Sequence, residues 1–239
     1  MKKIFVFFLI FIIFLSGNAT VSKNKYVSED LEIRGVYISY LEYLTYFKEN
    51  SLSINKAYIS KMLDNLSSIN INTIFLQVSP FSDSIYNSKI FPYSYTLTGV
   101  EGKNPGMDYL EYFIKEGKKR KIKIHAWINP YRISLTNDTN SLSKDNPAYS
   151  LLNTNNVSIS DNGIYYNPAS PYVYSLILKQ VTELITNYNI AGIHFDDYFY
   201  PNNKIDLVNY ENYKNKNKSD ISISEYRLNV VNSLIKSVY

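Results

Sequence analysis

Four short runs of apolar residues recur along the chain. Each run is nearly continuous in apolar side chains and is rich in β-branched or aromatic residues. This pattern is typical of strands that are covered on both faces of a parallel sheet. The predicted strands cover residues 33–39, 73–78, 122–128 and 191–195.

Between and after these runs, the apolar residues recur at spacings of three and four, which predicts amphipathic helices. The helical pattern covers residues 58–69, 110–117, 173–188 and 223–238. The resulting order is four successive βα units. Such alternation predicts a parallel sheet with right-handed crossovers, either doubly wound or closed into a barrel.

The segments that follow the strands favour a barrel. No Gly-rich phosphate loop follows the first strand, although a dinucleotide-binding sheet would have one there. Long predicted βα loops with polar and aromatic residues follow the later strands, at residues 79–106, 129–169 and 196–222. A complete barrel needs eight units and about 250 residues. We therefore predict an α/β fold, a parallel (β/α) TIM-type barrel truncated to about four βα units.

The amino terminus has the order of a secretory signal. Lys2 and Lys3 precede an apolar run at residues 4–15, and small residues follow as far as Ala19. The run is shorter than the roughly 20 residues that span a bilayer. We predict a signal peptide over residues 1–19, a linker over 20–30, a partial barrel domain over 31–239, and export from the cytoplasm. An uncleaved amino-terminal anchor is the alternative.

The amino-acid composition and net charge limit the classes of binding partner that we expect. The chain has no cysteine, so disulfides do not stabilise it. The formal charge of +4 falls to +2 without Lys2 and Lys3, which predicts neither nucleic-acid binding nor membrane adsorption. The oligomeric state stays open. Many of the 24 tyrosines fall in predicted loops. The aromatic residues that we expect there, outside any core, are Tyr86, Phe91, Tyr93, Tyr95, Tyr131, Tyr165, Tyr166, Tyr198, Phe199 and Tyr200.

Two adjacent acids, Asp196 and Asp197, follow the fourth predicted strand. Strand side chains alternate, so His194 and Asp196 share one face while Asp197 takes the other. Asp196 is therefore the first catalytic candidate and Asp197 the reserve. Glycoside cleavage usually needs two carboxyl groups. Because adjacent residues point apart, the second carboxyl is assigned to Asp83, for which a turn or cap is the alternative. A solvated turn is likewise the alternative for the Asp196–Asp197 pair.

Polar and aromatic side chains near the strand ends are the predicted substrate-binding residues. Aromatic rings suit the flat apolar faces of sugars. Arg132 either binds a carboxylate or hydroxyls of a ligand, or pairs with Asp196 or Asp197 at the barrel mouth. The predicted binding residues are Gln77, Asp83, Tyr86, His125, Trp127, Asn129, Tyr131, Arg132, His194, Tyr198 and Tyr200.

The sequence lacks the patterns that are typical of metal sites and of serine hydrolases. His125, His194 and Asp196 include no pair with a metal-ligand spacing. The Gly-x-Ser-x-Gly elbow of serine hydrolases is also absent from the sequence. We therefore predict no metal and no cofactor. The predicted partner is a polysaccharide or glycan strand.

At these motifs the chain resembles the bacterial glycosyl hydrolase-like family 10. The resemblance implies a (β/α)8 barrel and a secreted glycosidase. Some members are associated with cleavage of peptidoglycan glycan strands that lack stem peptides. The similar stretches are residues 32–36, 72–78, 95–99, 105–106, 125–132, 167–168 and 192–201.

The chain also departs from the family pattern. Ser79 stands where arginine is usual, and Ala191 stands where an acid is usual. The family continues beyond the helix at residues 225–229 into four more strands. We therefore expect a glycosidase, with a non-catalytic carbohydrate-binding remnant or an inactive gene fragment as alternatives. An unclosed sheet would expose either Phe75 or Leu76 and either Trp127 or Ile128, so we expect an insoluble, molten or dimeric chain.

Overall fold

The computed structural model of the protein describes residues 32–196 and 199–239. The predicted signal peptide and linker lie outside the described residues, as do Asp197 and Tyr198. The strands are β1 (Gly35–Ile38), β2 (Thr73–Ser79), β3 (Lys123–Ile128), β4 (Arg132–Ser134), β5 (Val157–Ser160), β6 (Gly163–Tyr166) and β7 (Gly192–Phe195). The helices are α1 (Tyr40–Tyr46), α2 (Leu52–Ser68), α3 (Tyr95–Thr98), α4 (Tyr109–Lys119), α5 (Pro171–Asn187), α6 (Leu207–Asn217) and α7 (Ile223–Val238).

Four of the strands form one parallel sheet in the order β1-β2-β3-β7. They correspond to the four predicted strands, with bounds that differ by one or two residues. Helices connect each strand to the next, as in successive units of a βα barrel. The prediction of an α/β partial barrel with about four βα units is confirmed.

The outer face of the parallel sheet packs against helices. Leu76 of β2 and Ile128 of β3 are fully buried in a hydrophobic core that also contains Leu63 of α2, Phe113 of α4 and Leu184 of α5. Apolar side chains at i and i+2 of each strand face this core because strand side chains alternate. The sequence left open whether Phe75 or Leu76, and whether Trp127 or Ile128, faces the helices. In the structure, Leu76 and Ile128 lie on the helix side.

The inner face of the sheet is an aromatic surface. The Tyr37 ring stacks on Phe75 at 4.9 Å and meets Trp127 and His194 edge-on, both at 5.4 Å between centroids. His125 lies 5.1 Å from Phe75. Tyr37 is 53% exposed, so the described residues leave this face partly open to solvent.

A second sheet occupies the segment between β3 and α5. The strands β4, β6 and β5 pair in that order and are antiparallel. The prediction of a long loop over residues 129–169 is wrong, because this segment contains β4, β5 and β6. These strands have only three or four residues each. Gly163 has a φ of +126°, and a Cβ there would lie 2.2 Å from the Ser134 carbonyl oxygen, so this position requires glycine.

Tyrosines contribute to the core under this second sheet. Tyr131 and Tyr166 are buried in a hydrophobic cluster with Ile164 and Val173. Tyr165 is also buried. The expectation that these tyrosines lie in loops outside a core is therefore wrong. Their rings pack with aliphatic side chains such as Ile133 and Leu151 in the same cluster.

Side-chain caps determine where the principal helices begin. In six helices the residue before the first turn accepts a hydrogen bond from a backbone N–H group of that turn, which satisfies a donor that the helix leaves unpaired. The capping residues are Ser39, Ser51, Ser94, Asp108, Ser170 and Ser222. In the part of the chain that the structure describes, no helix has both the length and the apolar character needed to cross a bilayer.

Candidate active site at the carboxyl ends of the strands

A cleft of about 540 Å³ opens at the carboxyl ends of the parallel strands. Parallel strands end at the same edge of their sheet, so the residues that follow them meet there. The cleft is lined by Ser39, Tyr40, Leu41, Gln77, Trp127, Asn129, Arg132 and Asp196.

Strand register brings the cleft residues together. Gln77 pairs with Trp127 across β2 and β3, and Trp127 pairs with His194 across β3 and β7. Asp196 lies two residues beyond His194, and its backbone N–H donates to the Ile128 carbonyl oxygen at 3.4 Å. The Asp196 carboxyl is exposed in the cleft, beside the exit of β3. Period-two alternation predicts that His194 and Asp196 share a face, and the register between strands adds Gln77 and Trp127.

The two predicted histidines lie on the inner face of the sheet and do not line the cleft. The His194 ring contacts Phe75 and Trp127, with centroids 5.0 Å and 6.2 Å away. Burial lowers the pKa of His125, and the charges of His194 and Lys123 lower it further. The neutral form of His125 is therefore favoured, as suits a ring packed among aromatic side chains.

The amide side chains of the cleft are held by the backbone. Gln77 Oε1 accepts a hydrogen bond from the Tyr40 backbone N–H at 3.0 Å, and Gln77 itself is almost fully buried. Asn129 Nδ2 donates to the Pro80 carbonyl oxygen at 3.4 Å. Among the described residues, Asn129 Oδ1 and Trp127 Nε1 have no hydrogen-bond partner. A buried polar atom without a partner costs about 1–3 kcal/mol, so a ligand hydroxyl that reached either atom would be bound favourably.

Asp83 does not lie in the cleft, which corrects the expectation that it supplies the second carboxyl. Its side chain is completely buried in the segment after β2, where Oδ1 accepts a hydrogen bond from the Phe81 backbone N–H at 3.0 Å. Burial raises the pKa of this carboxyl to about 7. Among the described cleft residues, Asp196 is therefore the one acid.

The raised pKa of Asp83 predicts a pH-dependent stability. The folded chain retains the Asp83 proton between about pH 4 and about pH 7, where the unfolded chain releases it, so the free energy of unfolding falls as pH rises through this window. The amide of Asp83→Asn is neutral throughout. We expect the variant to match the parent near pH 4 and to exceed it by on the order of 4 kcal/mol above pH 7.

Urea denaturation followed by circular dichroism at several pH values measures this difference. Asp220→Asn, at an exposed position between α6 and α7, is the matched control and should show no such divergence. A constant difference between Asp83→Asn and the parent across the range would contradict the assignment of the proton to Asp83.

Three predicted tyrosines lie away from the cleft. Tyr86 is completely buried, with its ring centroid 5.5 Å from that of Tyr188. Tyr131 is buried against Phe199 at 5.9 Å. Tyr200 is half-buried under the Arg227 guanidinium, 4.9 Å from its ring centroid. The burial of Tyr86 and Tyr131 excludes direct contact with a ligand in the cleft, and Tyr200 is not among the residues that line it. Tyr198 lies outside the described residues.

The part of the cleft wall that follows β1 was not predicted from the sequence. Ser39, Tyr40 and Leu41 line the cleft at the start of α1. The Tyr40 ring meets Phe81 edge-on at 4.8 Å. The available signal was the capping box, in which Ser39 and Glu42 bond reciprocally to each other's backbone. A Ser-x-x-Glu pattern directly after a strand marks a helix start at the carboxyl end of that strand.

Comparisons with known proteins agree with this architecture. The sequence profile of a family described as glycosyl hydrolase-like 10 matches residues 32–239. The glycosyl hydrolase YngK of Bacillus subtilis (strain 168) is 35% identical over an aligned length of 246, which covers 99% of this chain and 47% of that protein. The glycosyl hydrolase DigH of Escherichia coli (strain K12) is 32% identical over 224, covering 86% of this chain and 51% of that protein.

The chain thus spans about half the length of these relatives. Among solved structures, alpha-L-fucosidase isoenzyme 2 from Paenibacillus thiaminolyticus superposes with a TM-score of 0.54 at 14% sequence identity. The superposition covers 87% of this chain and 29% of that chain. At this identity the likeness is one of fold.

Proposed function

Because the chain belongs to the glycosyl hydrolase-like 10 family, we propose that it is an exported glycoside hydrolase that cleaves a cell-wall or related polysaccharide. The observation that carries the proposal is the exposed Asp196 carboxyl at the end of β7, in a cleft with two amides, an arginine and an indole ring. Barrel enzymes place catalytic residues at this end of their strands.

In this proposal Asp196 acts as acid/base or as nucleophile, with Asp197 in reserve. Gln77, Asn129 and Arg132 hold hydroxyl or carboxylate groups of the sugar, because amide and guanidinium groups bind such oxygens. The Trp127 ring offers an apolar surface to a sugar face. Hydrolysis also needs a partner carboxyl, and in this proposal that group lies outside the described residues.

Release of reducing ends tests the proposal. The full-length gene product is incubated with denuded peptidoglycan glycan strands, and new reducing ends are assayed. Enzymatic release supports a glycosidase acting on this polymer. If no reducing ends are released from this substrate or from other wall polysaccharides, the proposal is wrong.

The single tryptophan offers a direct test of the site. The chain contains one Trp, and it lines the cleft. We expect oligosaccharides that occupy the cleft to change the intensity or wavelength of its emission, because they displace water from the indole. Fluorescence titration measures the change. In Gln77→Ala the titration midpoint should rise by about tenfold, because the change removes an amide from the cleft together with the hydrogen bond that holds the Tyr40 backbone in its wall. Saturable binding of glycan without any change in emission would exclude this cleft.

One observation favours a second candidate, a non-catalytic carbohydrate-binding protein. The described cleft contains one acid, whereas glycoside cleavage usually uses two. This alternative predicts that binding to insoluble glycan persists in Asp196→Ala and that neither the parent nor the variant releases reducing ends. Turnover by the parent would reject it.

Export is proposed from the amino-terminal pattern of Lys2 and Lys3, an apolar run and small residues up to Ala19. A wall polysaccharide lies outside the cytoplasmic membrane, so export would bring the enzyme to its substrate. Fractionation of cells that express the protein, with amino-terminal sequencing of the exported form, tests both export and cleavage after Ala19.

A further inference from the structure

A second concave surface lies outside the strand-end cleft, and we call it the tyrosine groove. It has a volume of about 480 Å³ and lies between the residues that lead into α5 and the helices α6 and α7. Its principal lining residues are Tyr174, Tyr213, Tyr226, Asn229 and Ser233, together with residues 168–171. Ligand pockets typically have volumes of about 300–1,000 Å³ and mostly apolar walls with a few polar groups.

The groove lies on the same side of the sheet as the cleft. In a βα unit the helix begins where the crossover leaves the carboxyl end of its strand. Pro171, the first residue of α5, belongs to the groove wall, and so does Tyr226 in the first turn of α7. Both the cleft and the groove therefore border the carboxyl-end face of the sheet.

Hydrogen bonds between separate segments hold the groove walls in place. Asn209 Nδ2 donates to the Ala169 carbonyl oxygen at 3.2 Å, and Asn167 Nδ2 donates to Asn209 Oδ1 at 2.9 Å. On the other side, the Tyr174 and Ser237 hydroxyls lie 2.5 Å apart. The groove is therefore formed before a ligand arrives, which reduces the entropy lost on binding.

The lining points to an uncharged ligand with flat apolar faces and hydroxyl groups. None of the described lining residues is an acid, a lysine, an arginine or a histidine. The rings of Tyr213 and Tyr226 lie 5.2 Å apart, and Tyr213 is 39% exposed. Asn229 and Ser233 are exposed polar residues beside these rings. Tyrosine combines an apolar ring with a polar hydroxyl, and a saccharide combines C–H faces with hydroxyls in the same way.

We propose that the tyrosine groove binds a neutral saccharide unit of the polysaccharide whose glycosidic bond lies in the strand-end cleft. This inference deepens the proposed function and rests on it for the identity of the polymer. The groove holds the chain at a distance from the reacting bond. It therefore increases affinity for polymers and has no effect on a substrate short enough to occupy the cleft alone.

Affinity electrophoresis of the full-length gene product tests the proposal. The gels contain glycol chitin or hydroxyethyl cellulose as neutral polymers, or polygalacturonate as an anionic one. We expect retardation by a neutral polymer, with the dissociation constant raised about three- to tenfold in Tyr213→Ala, the loss of one ring contact. In Ser233→Arg the long arginine side chain starts from an exposed position at the rim and extends over the tyrosine rings. The dissociation constant should rise by a similar factor.

Tyr172→Ala is the matched control, since Tyr172 is 49% exposed on α5 and does not line the groove. It should leave retardation unchanged. Circular dichroism melts confirm that each variant is folded, and Ser233→Arg, at an exposed position, keeps the test valid if Tyr213→Ala is destabilised.

Several results would overturn the proposal. These are no retardation of the parent by either neutral polymer, equal retardation of the groove variants and Tyr172→Ala, or groove-dependent binding of polygalacturonate in place of the neutral polymers. Groove-dependent binding of the apolar dye N-phenyl-1-naphthylamine without any polysaccharide binding would assign the groove to an apolar partner instead. Asp196→Asn separates the two sites. It should abolish hydrolysis and retain retardation if both proposals hold, and each can fail without the other.

Discussion

Replacement of Asp196 by asparagine is expected to lower the rate of glycoside hydrolysis by at least about 100-fold, the lower end of what a positioned acid or base contributes. Asp196 is the one acid among the described cleft residues, and its carboxyl is exposed beside Gln77 and Trp127. The amide keeps the shape of the side chain and can neither transfer a proton nor attack the sugar. The measurement is the release of reducing ends per enzyme at saturating polymer.

The matched control is Asp220→Asn, which changes an exposed acid away from the cleft. It should retain the parental rate. The thermal melt of Asp196→Asn should coincide with that of the parent, because an exposed carboxyl at a strand end contributes little to packing. A catalytic group is expected to account for a loss of about 100-fold. If Asp196→Asn keeps more than about one tenth of the parental rate, the catalytic role belongs to Asp197 or to another residue.

A polypeptide of residues 32–239 alone is expected to self-associate. Within the described residues, β1 and β7 are the edges of the parallel sheet, and unpaired strand edges invite pairing with another chain. The inner aromatic face is partly open, with Tyr37 53% exposed. At about 25 cal/mol per Å², covering several hundred Å² would stabilise an assembly by many kcal/mol, compared with a typical domain stability of about 5–15 kcal/mol.

Analytical ultracentrifugation over a range of concentrations measures this association. Tyr37→Lys places a charge on the inner face and should shift the distribution towards smaller species. Tyr172→Lys, which changes a similarly exposed tyrosine on α5, should not. A compact monomer with a sharp cooperative melt at all concentrations would contradict the expectation.

Sequence periodicity predicted the parallel sheet and its principal helices. The four strands of the sheet were located to within one or two residues, and the predicted helix at residues 223–238 coincides with α7. Both patterns arise locally, because alternation in a strand and a spacing of three or four in a helix follow from backbone geometry. The same alternation predicted that His194 and Asp196 share a face. Strand register in the structure added Gln77 and Trp127 to Asp196 in the cleft, whereas His194 does not line it.

The structure of the long segments between strands depends on contacts between residues that are far apart in the sequence. The Ser82 hydroxyl bonds to the Tyr166 hydroxyl, and Asn146 Nδ2 donates to the Ser82 carbonyl oxygen, at separations of 84 and 64 residues. These contacts link the segment after β2 to the one after β3. Asp83 follows directly and is buried with them. Nothing local to an Asp in a predicted loop distinguishes a buried carboxyl from an exposed one.

The sequence by itself determined which side chains of a single strand share a face, such as His194 with Asp196. Tertiary structure alone decided which face is inner, that Asp83 and Tyr86 are buried, and that Tyr40 completes the cleft wall. The physical reason is the distance along the sequence over which each property is determined. Periodicity records the geometry of one segment, whereas burial depends on which distant segment covers it, and that is determined only when the whole chain packs.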